Sequence, residues 1–154
     1  MIPGLIDLGS PTPWPVLPPG IFDASLAEIE AVFSTTPHRQ RLFDGFLRMV
    51  GALEVAGSPQ LYLNGSFVTG KPHPDDFDGC WDPIGVDFKA LDPVLLRFDN
   101  KREAQKLKFL GEMFPDGIEA STGLAWPDFF QNEKYSGRRK GILRVALATS
   151  KAIR

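Results

Sequence analysis

The sequence predicts an α/β (or α+β) fold in which helices pack on a mixed sheet of about four to five short strands. Two segments, residues 25–33 and 37–57, place apolar side chains at the spacing of an amphipathic helix. Several other segments are short, apolar and bounded by turn residues, which is typical of strands. The chain of 154 residues, 43% hydrophobic and 23% charged, is long enough for one domain with a buried core.

The N-terminal residues 1–22 contain six prolines. Proline fixes φ and lacks the amide hydrogen that helices and central strands need. We therefore predict an extended, Pro-rich arm over residues 1–22, anchored by Trp14 and Leu17 on a domain over residues 23–154. Prolines also interrupt every apolar stretch of the arm, and no basic region precedes one, which argues against a signal peptide or a membrane anchor.

Two helices are predicted after the arm. Ser25 and Glu28 match a capping box, so a short helix is expected over residues 25–33. Pro37 suits the first turn of a second helix, whose apolar stripe ends near Gly57. This second helix should pack on the sheet.

The remaining elements follow from short apolar runs and one further helical pattern. Residues 83–98 are expected to be irregular or partly helical. Turn residues at 135–139 suggest that the last two strands are joined by a hairpin connection. The predicted elements are strands at 60–64 and 76–81, a helix at 100–113 closed by Pro115, and strands at 126–131 and 141–147.

Charge and cysteine content exclude several kinds of protein. The formal net charge of -2 gives no global argument for nucleic-acid binding, which needs a basic surface. Cys80 is the only cysteine, so neither an intrachain disulfide nor a cysteine-based zinc cluster can form. A reducing compartment suits such a chain, and we expect a cytoplasmic protein. His38 and His73 are too few for a zinc site, and Cys80 is expected to be a packed thiol.

The residues that carry chemistry lie in the centre of the chain. Asp76 and Asp78 are two positions apart on a predicted strand, so both carboxylates face one side while Phe77 faces the core. Two like charges on one face repel each other unless a cation lies between them. Oxygen ligands favour Mg²⁺ or Mn²⁺ over zinc, and Mg²⁺ is commonly held by one or two carboxylates together with substrate phosphates. The pair therefore predicts a metal site for a phosphate-bearing substrate.

A Gly-Ser turn precedes the acidic strand. Gly65 lets backbone amides approach a phosphate without a Cβ in the way, and Ser66 adds a hydroxyl donor. Lys71, in the loop that follows, is a further candidate for nucleotide binding, although a loop lysine is more often merely exposed. Gly70-Lys71 lacks the glycine spacing and the following Ser or Thr of a P-loop.

These residues resemble the signature of the DNA polymerase β-like nucleotidyltransferase superfamily. In that signature an apolar residue precedes Gly and then Gly or Ser, and a loop leads to Asp, an apolar residue and Asp or Glu. Leu63, Gly65 and Ser66 match its first half, with Asn64 intervening, and Asp76-Phe77-Asp78 matches its second half. The segments at 17–30, 36–39, 63–83 and 128–142 also resemble a small bacterial family of that superfamily that has no settled substrate.

The resemblance implies a nucleotidyltransferase-like fold and transfer of a nucleoside monophosphate from a nucleoside triphosphate to a hydroxyl acceptor. Gly65 and Ser66 would hold the β- and γ-phosphates, and Asp76 and Asp78 would hold two Mg²⁺ ions. One ion would activate the acceptor hydroxyl, and the other would stabilise the departing pyrophosphate. The acceptor would be a protein, an RNA such as tRNA or a small molecule. Many small members of the superfamily act in toxin–antitoxin or defence systems.

The superfamily usually adds a third carboxylate from a later strand. Asp128, in the apolar segment 126–130, is the first candidate for this catalytic and metal-binding role, and Glu119 is the alternative. An Asp that merely starts a strand explains Asp128 equally well. Without a third acid, the chain would be a noncatalytic nucleotide-binding or regulatory module. A phosphohydrolase uses the same metal–carboxylate chemistry, but usually with more His and Asp ligands than this chain offers.

Overall fold

Five strands form one open, mixed sheet in a computed structural model of the chain, which describes residues 1–148. In chain order they are β1 (Gly20–Asp23), β2 (Gln60–Asn64), β3 (Phe77–Trp81), β4 (Gly111–Pro115) and β5 (Gly141–Ala146). The order across the sheet is β1-β5-β2-β3-β4. β2 is antiparallel to both of its neighbours, whereas the β1–β5 and β3–β4 pairs are parallel. The predicted mixed sheet with packed helices is thus confirmed.

The first two helices begin and end where the sequence predicts. Helix α1 spans Leu26–Phe33, and its capping box is formed: Ser25 Oγ accepts from the Glu28 amide at 3.1 Å, and Glu28 Oε1 accepts from the Ser25 amide at 3.2 Å. Helix α2 spans Pro37–Ala56, and Gly57 ends it in a left-handed conformation with a φ of 88°. Buried residues of both helices pack with the buried face of the sheet in one hydrophobic core.

The third helix is shorter than the predicted helix at 100–113, because a strand follows it. Helix α3 spans Asp99–Phe109 and ends at Leu110, whose φ of 63° leaves the helical geometry. The next residues form β4, which pairs with β3. A Cβ added to Gly111 would lie 2.5 Å from the ring of Phe77, so the missing side chain lets the two strands pack. The predicted helix is thus confirmed as far as Phe109, although residues 100–102 within it have left-handed φ values of 50–59°, and its predicted extension to residue 113 is wrong.

The segment predicted as a strand at 126–131 is instead helix α4, Trp126–Phe130, with Pro127 in its first turn. Phe130 is buried and packs with Cys80 in a second, smaller hydrophobic cluster. This cluster lies on the face of the sheet opposite α1 and α2. The aromatic run gains burial by covering that face as a helix, which explains why a strand-like composition does not give a strand.

The N-terminal segment contributes to the sheet. Residues 20–22 of the predicted arm belong to the edge strand β1. Upstream of them, Ile6 and Val16 pair through backbone hydrogen bonds of 2.8 and 2.9 Å. Leu17 is buried, and its carbonyl accepts from the Gly141 amide at 2.9 Å. The segment before β1 therefore runs beside the start of β5.

The other predicted elements are also placed. The strand predicted at 141–147 is β5. Residues 83–98, predicted to be irregular or partly helical, contain a short 3₁₀ helix at Pro93–Leu96. Within residues 1–148, no helix has both the length and the hydropathy needed to cross a bilayer.

Candidate active site

The structure brings the Gly-Ser turn and both predicted aspartates to one cavity, where β2 ends and β3 begins. Asn64, the last residue of β2, is paired with Asp78 on β3. Gly65 has a φ of 95°, and a Cβ added to it would lie 3.0 Å from the Asp78 amide nitrogen and 3.1 Å from Asp78 Oδ1. Ser66 Oγ donates to the Asp76 carbonyl at 3.5 Å. Glycine is needed at position 65 because this φ, together with a ψ of 179°, is essentially restricted to glycine, and a side chain would also press on the Asp78 carboxylate.

The cavity has a volume of about 490 Å³, which is within the range of small-molecule sites. Two walls of different chemistry enclose it. The polar wall includes Asn64, Gly65, Ser66, Lys71, Asp76, Asp78 and Lys140, and the aromatic wall includes Trp14, Phe129, Phe130 and Tyr135.

Asp78 carries the largest electrostatic perturbation among the acids of the cavity. Its side chain is partly open to the cavity, but Oδ1 is shielded from solvent and has no hydrogen-bond partner within the part of the chain that the structure describes. Burial raises the pKa of this carboxyl to about 7; Lys140 opposes the shift, and Asp76 and Glu112 add to it. A shielded carboxylate oxygen without a partner is the kind of group that a bound cation satisfies.

Glu112 is a third acid beside the pair, and no sequence motif indicated it. The pairing of β4 with β3 sets Glu112 opposite Asp78. Burial raises the pKa of Asp76, and the negative charge of Glu112 raises it further. The prediction of a helix over 100–113 hid this strand position. The sequence across 112–114, Glu-Met-Phe, shows no alternation of polar and apolar residues, and the alternating burial of the strand is seen only in the structure.

Two basic side chains lie beside the Glu112 carboxylate. Its Oε2 lies 2.6 Å from Arg102 Nε and 3.9 Å from Lys106 Nζ. The Glu112 side chain is only 13% exposed, so this ion pair is partly shielded from solvent. Within residues 1–148, no three His, Cys, Asp or Glu side chains are arranged to hold a metal ion. Two other acids line the cavity, but Asp75 pairs with Lys71, and Glu133 accepts from Thr12 and from two backbone amides. Asp76 and Asp78 are thus the lining acids that the cavity offers to a cation, with Glu112 held aside.

Neither predicted candidate for the third acid lines the cavity. Asp128 is exposed on helix α4 rather than placed on a strand beside β3, so the expectation for this residue is corrected. Glu119 accepts hydrogen bonds from Ser121 and Thr122, and the bond from the Ser121 hydroxyl is the main reason that its pKa falls to about 2. Glu119 therefore holds a turn. The Asp128 assignment depended on the strand at 126–131, which does not form.

A buried arginine fixes the loop between the Gly-Ser turn and the aspartates. Arg39, on α2, donates to the carbonyls of Phe67, Thr69 and Lys71 at 2.7, 2.8 and 2.7 Å. One planar guanidinium can serve several carbonyls at once, and it stays charged even though burial lowers its pKa. Lys71 therefore lines the cavity on a loop that α2 holds, with its Nζ 3.4 Å from Asp75 Oδ2.

Lys140 is a further site residue that the sequence did not single out. It lies immediately before β5, is 9% exposed, and its Nζ donates to Asn64 Oδ1. Burial lowers its pKa to about 8, although the charge of Asp78 opposes the shift. In the sequence it follows two arginines and looks like part of a charged turn. Its burial beside Asp78 depends on the sheet, and no local pattern indicates it.

His38, His73 and Cys80 make packing contacts and do not line the cavity. The rings of His38 and His73 stack with centroids 3.6 Å apart, and His38 Nε2 contacts the Pro74 carbonyl. These contacts fasten the loop before Asp76 to α2. Cys80 is buried, and burial raises the pKa of its thiol, in keeping with the packed thiol predicted from the sequence.

The cavity lies within a region that matches a known family model. Residues 12–146 match the model of DUF6932, a family of unknown function. The chain belongs to this family. The DUF6932 match includes both walls of the cavity, from Trp14 to Lys140, together with Glu112. Searches of curated proteins and of solved structures found no match.

Proposed function

We propose that this DUF6932 protein is an Mg²⁺-dependent nucleotidyltransferase that transfers a nucleoside monophosphate from a nucleoside triphosphate to a hydroxyl acceptor. One observation carries the proposal: the shielded, unpartnered Oδ1 of Asp78 lies beside Gly65 in a cavity that Asp76 and Ser66 also line. Such a carboxylate calls for a cation, and a glycine turn with a neighbouring hydroxyl suits a phosphate. The resemblance of the same residues to the nucleotidyltransferase signature supports the choice of reaction.

The acids fit Mg²⁺ or Mn²⁺ better than a softer metal. Asp76 and Asp78 offer only oxygen ligands, and protein sites of this kind are usually completed by substrate phosphates and water. Bound Mg²⁺ supplies Lewis-acid polarisation of the phosphates and activation of the acceptor hydroxyl. Glu112, opposite Asp78 in the sheet, would join the two aspartates on release from Arg102.

Other side chains position the triphosphate in this proposal. Ser66 donates its hydroxyl to a phosphate oxygen, and the absence of a side chain at Gly65 lets the ligand approach the backbone. Lys140 offsets the charge of Asp78 at the floor of the cavity. Lys71 reaches the phosphates from the loop that Arg39 holds. Each of these residues acts on charge or position, the two contributions that dominate phosphoryl-group chemistry.

A second candidate function is favoured by the ion pair of Glu112. Because Arg102 holds Glu112 at 2.6 Å, two acids remain for a cation in the cavity. Two carboxylates are sufficient for Mg²⁺-dependent nucleotide binding. The resembled superfamily usually adds a third for catalysis, so a permanent Glu112–Arg102 pair would suit a noncatalytic nucleotide-binding or regulatory module.

A nucleotidyl-transfer assay tests the proposal. The four nucleoside triphosphates, each labelled at the α-phosphate, are incubated with the protein and Mg²⁺, with the protein itself and a tRNA pool as acceptors. We expect release of pyrophosphate and retention of label on an acceptor, and we expect Asp78→Asn to abolish both. Glu112→Gln should lose transfer while it keeps Mg²⁺-dependent nucleotide binding, because Asp76 and Asp78 remain.

The outcomes separate the two candidate functions. Mg²⁺-dependent binding without transfer, unchanged by Glu112→Gln, would favour the noncatalytic module. Absence of Mg²⁺-dependent binding for all four nucleotides would contradict both. Asp44→Asn is the matched control, because Asp44 is exposed on α2, lies outside the cavity lining, and its loss should leave transfer intact.

A further inference from the structure

The aromatic wall of the cavity has no role in the phosphate chemistry. Trp14 comes from the N-terminal segment, whereas Phe129 and Tyr135 come from α4 and the turn after it. The rings of Trp14 and Tyr135 lie edge to face, with centroids 5.9 Å apart and planes at 86°. Tyr135 is 46% exposed. These rings therefore present apolar area at the cavity that a flat ligand ring can cover.

The aromatic wall is fixed from two sides. Thr12 Oγ1 donates to the Glu133 carboxylate, which also accepts from the Tyr135 amide at 2.8 Å. On the other side, the Gly70 amide donates to the Pro15 carbonyl at 2.8 Å. The residues that flank the tryptophan are thus tied both to the tyrosine turn and to the loop before the aspartates. A wall held in this way is preorganised for a ligand.

Lys71 connects the two walls. Its Nζ lies 5.0 Å from the centroid of the Trp14 ring and 3.4 Å from Asp75 Oδ2, next to the acids. The Lys71 side chain therefore spans the gap between the Trp14 ring and the loop that leads to Asp76. A ligand that joins a planar ring to an anionic tail matches this arrangement of an aromatic wall beside a phosphate site.

We propose that the aromatic wall is the nucleobase site, in which Trp14 and Tyr135 contact the base of a purine nucleoside triphosphate. The inference rests on the proposed function, because it assigns the base of the ligand whose phosphates lie at the polar wall. Stacking on aromatic side chains is available to every base, and a purine offers two fused rings where a pyrimidine offers one. The site therefore selects purines by contact area.

Asn132 supplies a polar contact at the same wall. Its Nδ2 donates to the carbonyls of Asp128 and Phe129 at 3.3 and 3.2 Å. This orientation leaves Oδ1 as an acceptor on a residue that lines the cavity. Such an acceptor can bind the exocyclic amino group that adenine, guanine and cytosine carry and that uracil lacks.

Calorimetric titrations separate recognition of the base from recognition of the phosphates. In Mg²⁺ buffer, the wild-type protein is titrated with tripolyphosphate, α,β-methylene-ATP and α,β-methylene-UTP. The methylene bridge of the two analogues prevents nucleotidyl transfer during the measurement. We expect the ATP analogue to bind at least about fivefold more tightly than tripolyphosphate, with the UTP analogue between the two, because one stacked base contributes that much or more.

Substitutions locate the effect. Tyr135→Ala should weaken binding of the ATP analogue to near that of tripolyphosphate and leave tripolyphosphate itself unchanged. Trp14→Ala should weaken the ATP analogue in the same way and tripolyphosphate much less, through the contact of Trp14 with Lys71. Trp14→Phe keeps a ring and should retain most of the affinity. Trp126→Phe is the matched control, because Trp126 lies outside the cavity lining and neither ligand should respond. If Trp14→Ala does not fold, the exposed Tyr135 still carries the test.

Two results would overturn the assignment of the base site. One is equal affinity of the wild type for the ATP analogue and tripolyphosphate, and the other is an equal loss of both ligands in Tyr135→Ala. In either case the wild type still binds tripolyphosphate in Mg²⁺, so the proposed function survives. Binding of neither ligand in Mg²⁺ would contradict the proposed function and the base site together.

Discussion

Asp78 and Lys140 are ionisable side chains at the floor of the cavity, and the fold shifts the pKa of both. Burial raises the pKa of Asp78 to about 7 and lowers that of Lys140 to about 8, so the folded protein disfavours the charged form of each. Lys140 Nζ bonds Asn64, and Asp78 Oδ1 keeps no partner within residues 1–148. Holding this pair in the cavity therefore lowers the free energy of unfolding, and a bound cation can restore it. Such a cost is expected where a site is built for a ligand.

The pH dependence of stability follows from Asp78. Its pKa is 3.8 without the fold and about 7 within it, so between these values the folded protein holds a proton that the unfolded chain has lost. The free energy of unfolding must therefore fall as the pH rises through this window. We expect the free energy of unfolding of Asp78→Asn to rise relative to that of the wild type by about 1–2 kcal/mol across this pH window. This range is discounted for the partial exposure of the Asp78 side chain.

Urea unfolding of both proteins without Mg²⁺, at several pH values across the same window, measures this gain. Asp44→Asn is the control, because Asp44 is exposed on α2 outside the cavity lining and its loss should not change the slope. A stability difference between wild type and Asp78→Asn that stays constant with pH would contradict the proposed environment of Asp78.

At the scale of elements, the turn after β2 decides whether the phosphate side of the site can form. Gly65 and Gly85 have φ values of 95° and 76°, so alanine is strained at either position. Only at Gly65 does an added Cβ meet neighbours, at 3.0 Å from the Asp78 amide, whereas nothing lies within 4 Å at Gly85. Gly65 also has a ψ of 179°, a combination that is essentially restricted to glycine, so alanine there meets both a greater backbone strain and the close approach to Asp78.

We expect Gly85→Ala to cost about 1 kcal/mol of stability and Gly65→Ala about 1–2 kcal/mol more. Gly65→Ala should also weaken Mg²⁺-dependent nucleotide binding by about tenfold, since about 1.4 kcal/mol of lost contact corresponds to that factor, and Gly85→Ala should leave binding unchanged. Urea unfolding and calorimetric titration measure the two effects. Equal costs, or equal losses of binding, would show that the turn does not position Asp78.

Elements that depend on local signals could be predicted from the sequence. Ser25 caps α1 and Gly57 ends α2, because capping is decided within a few neighbouring residues. The strand at 111–115 could not be predicted in the same way, since it depends on Gly111 packing against Phe77 from another strand. The segment at 126–130 likewise becomes a helix because it covers a face of the sheet.

At the scale of the whole molecule, the cavity is assembled from distant parts of the chain. The Gly-Ser turn and the aspartates are close in sequence, so strand alternation was enough to predict them. Trp14 and Tyr135 meet only because the N-terminal segment runs beside the start of β5. Glu112 reaches Asp78 only through the pairing of β4 with β3. These residues required the tertiary structure, which no spacing in the sequence records.

We propose that Asp76 and Asp78 form one site that a metal and a nucleotide occupy together. The test is a thermal melt of the wild type and of Asp76→Asn/Asp78→Asn, each measured alone, with Mg²⁺, with α,β-methylene-ATP and with both. We expect the wild type to gain about 3 °C or more only when both ligands are present. The variant should melt at or above the metal-free wild type and respond to neither ligand, because neutral side chains remove the repulsion and the site. A variant that melts well below the metal-free wild type, or that gains as much as the wild type from the ligands, would contradict the account.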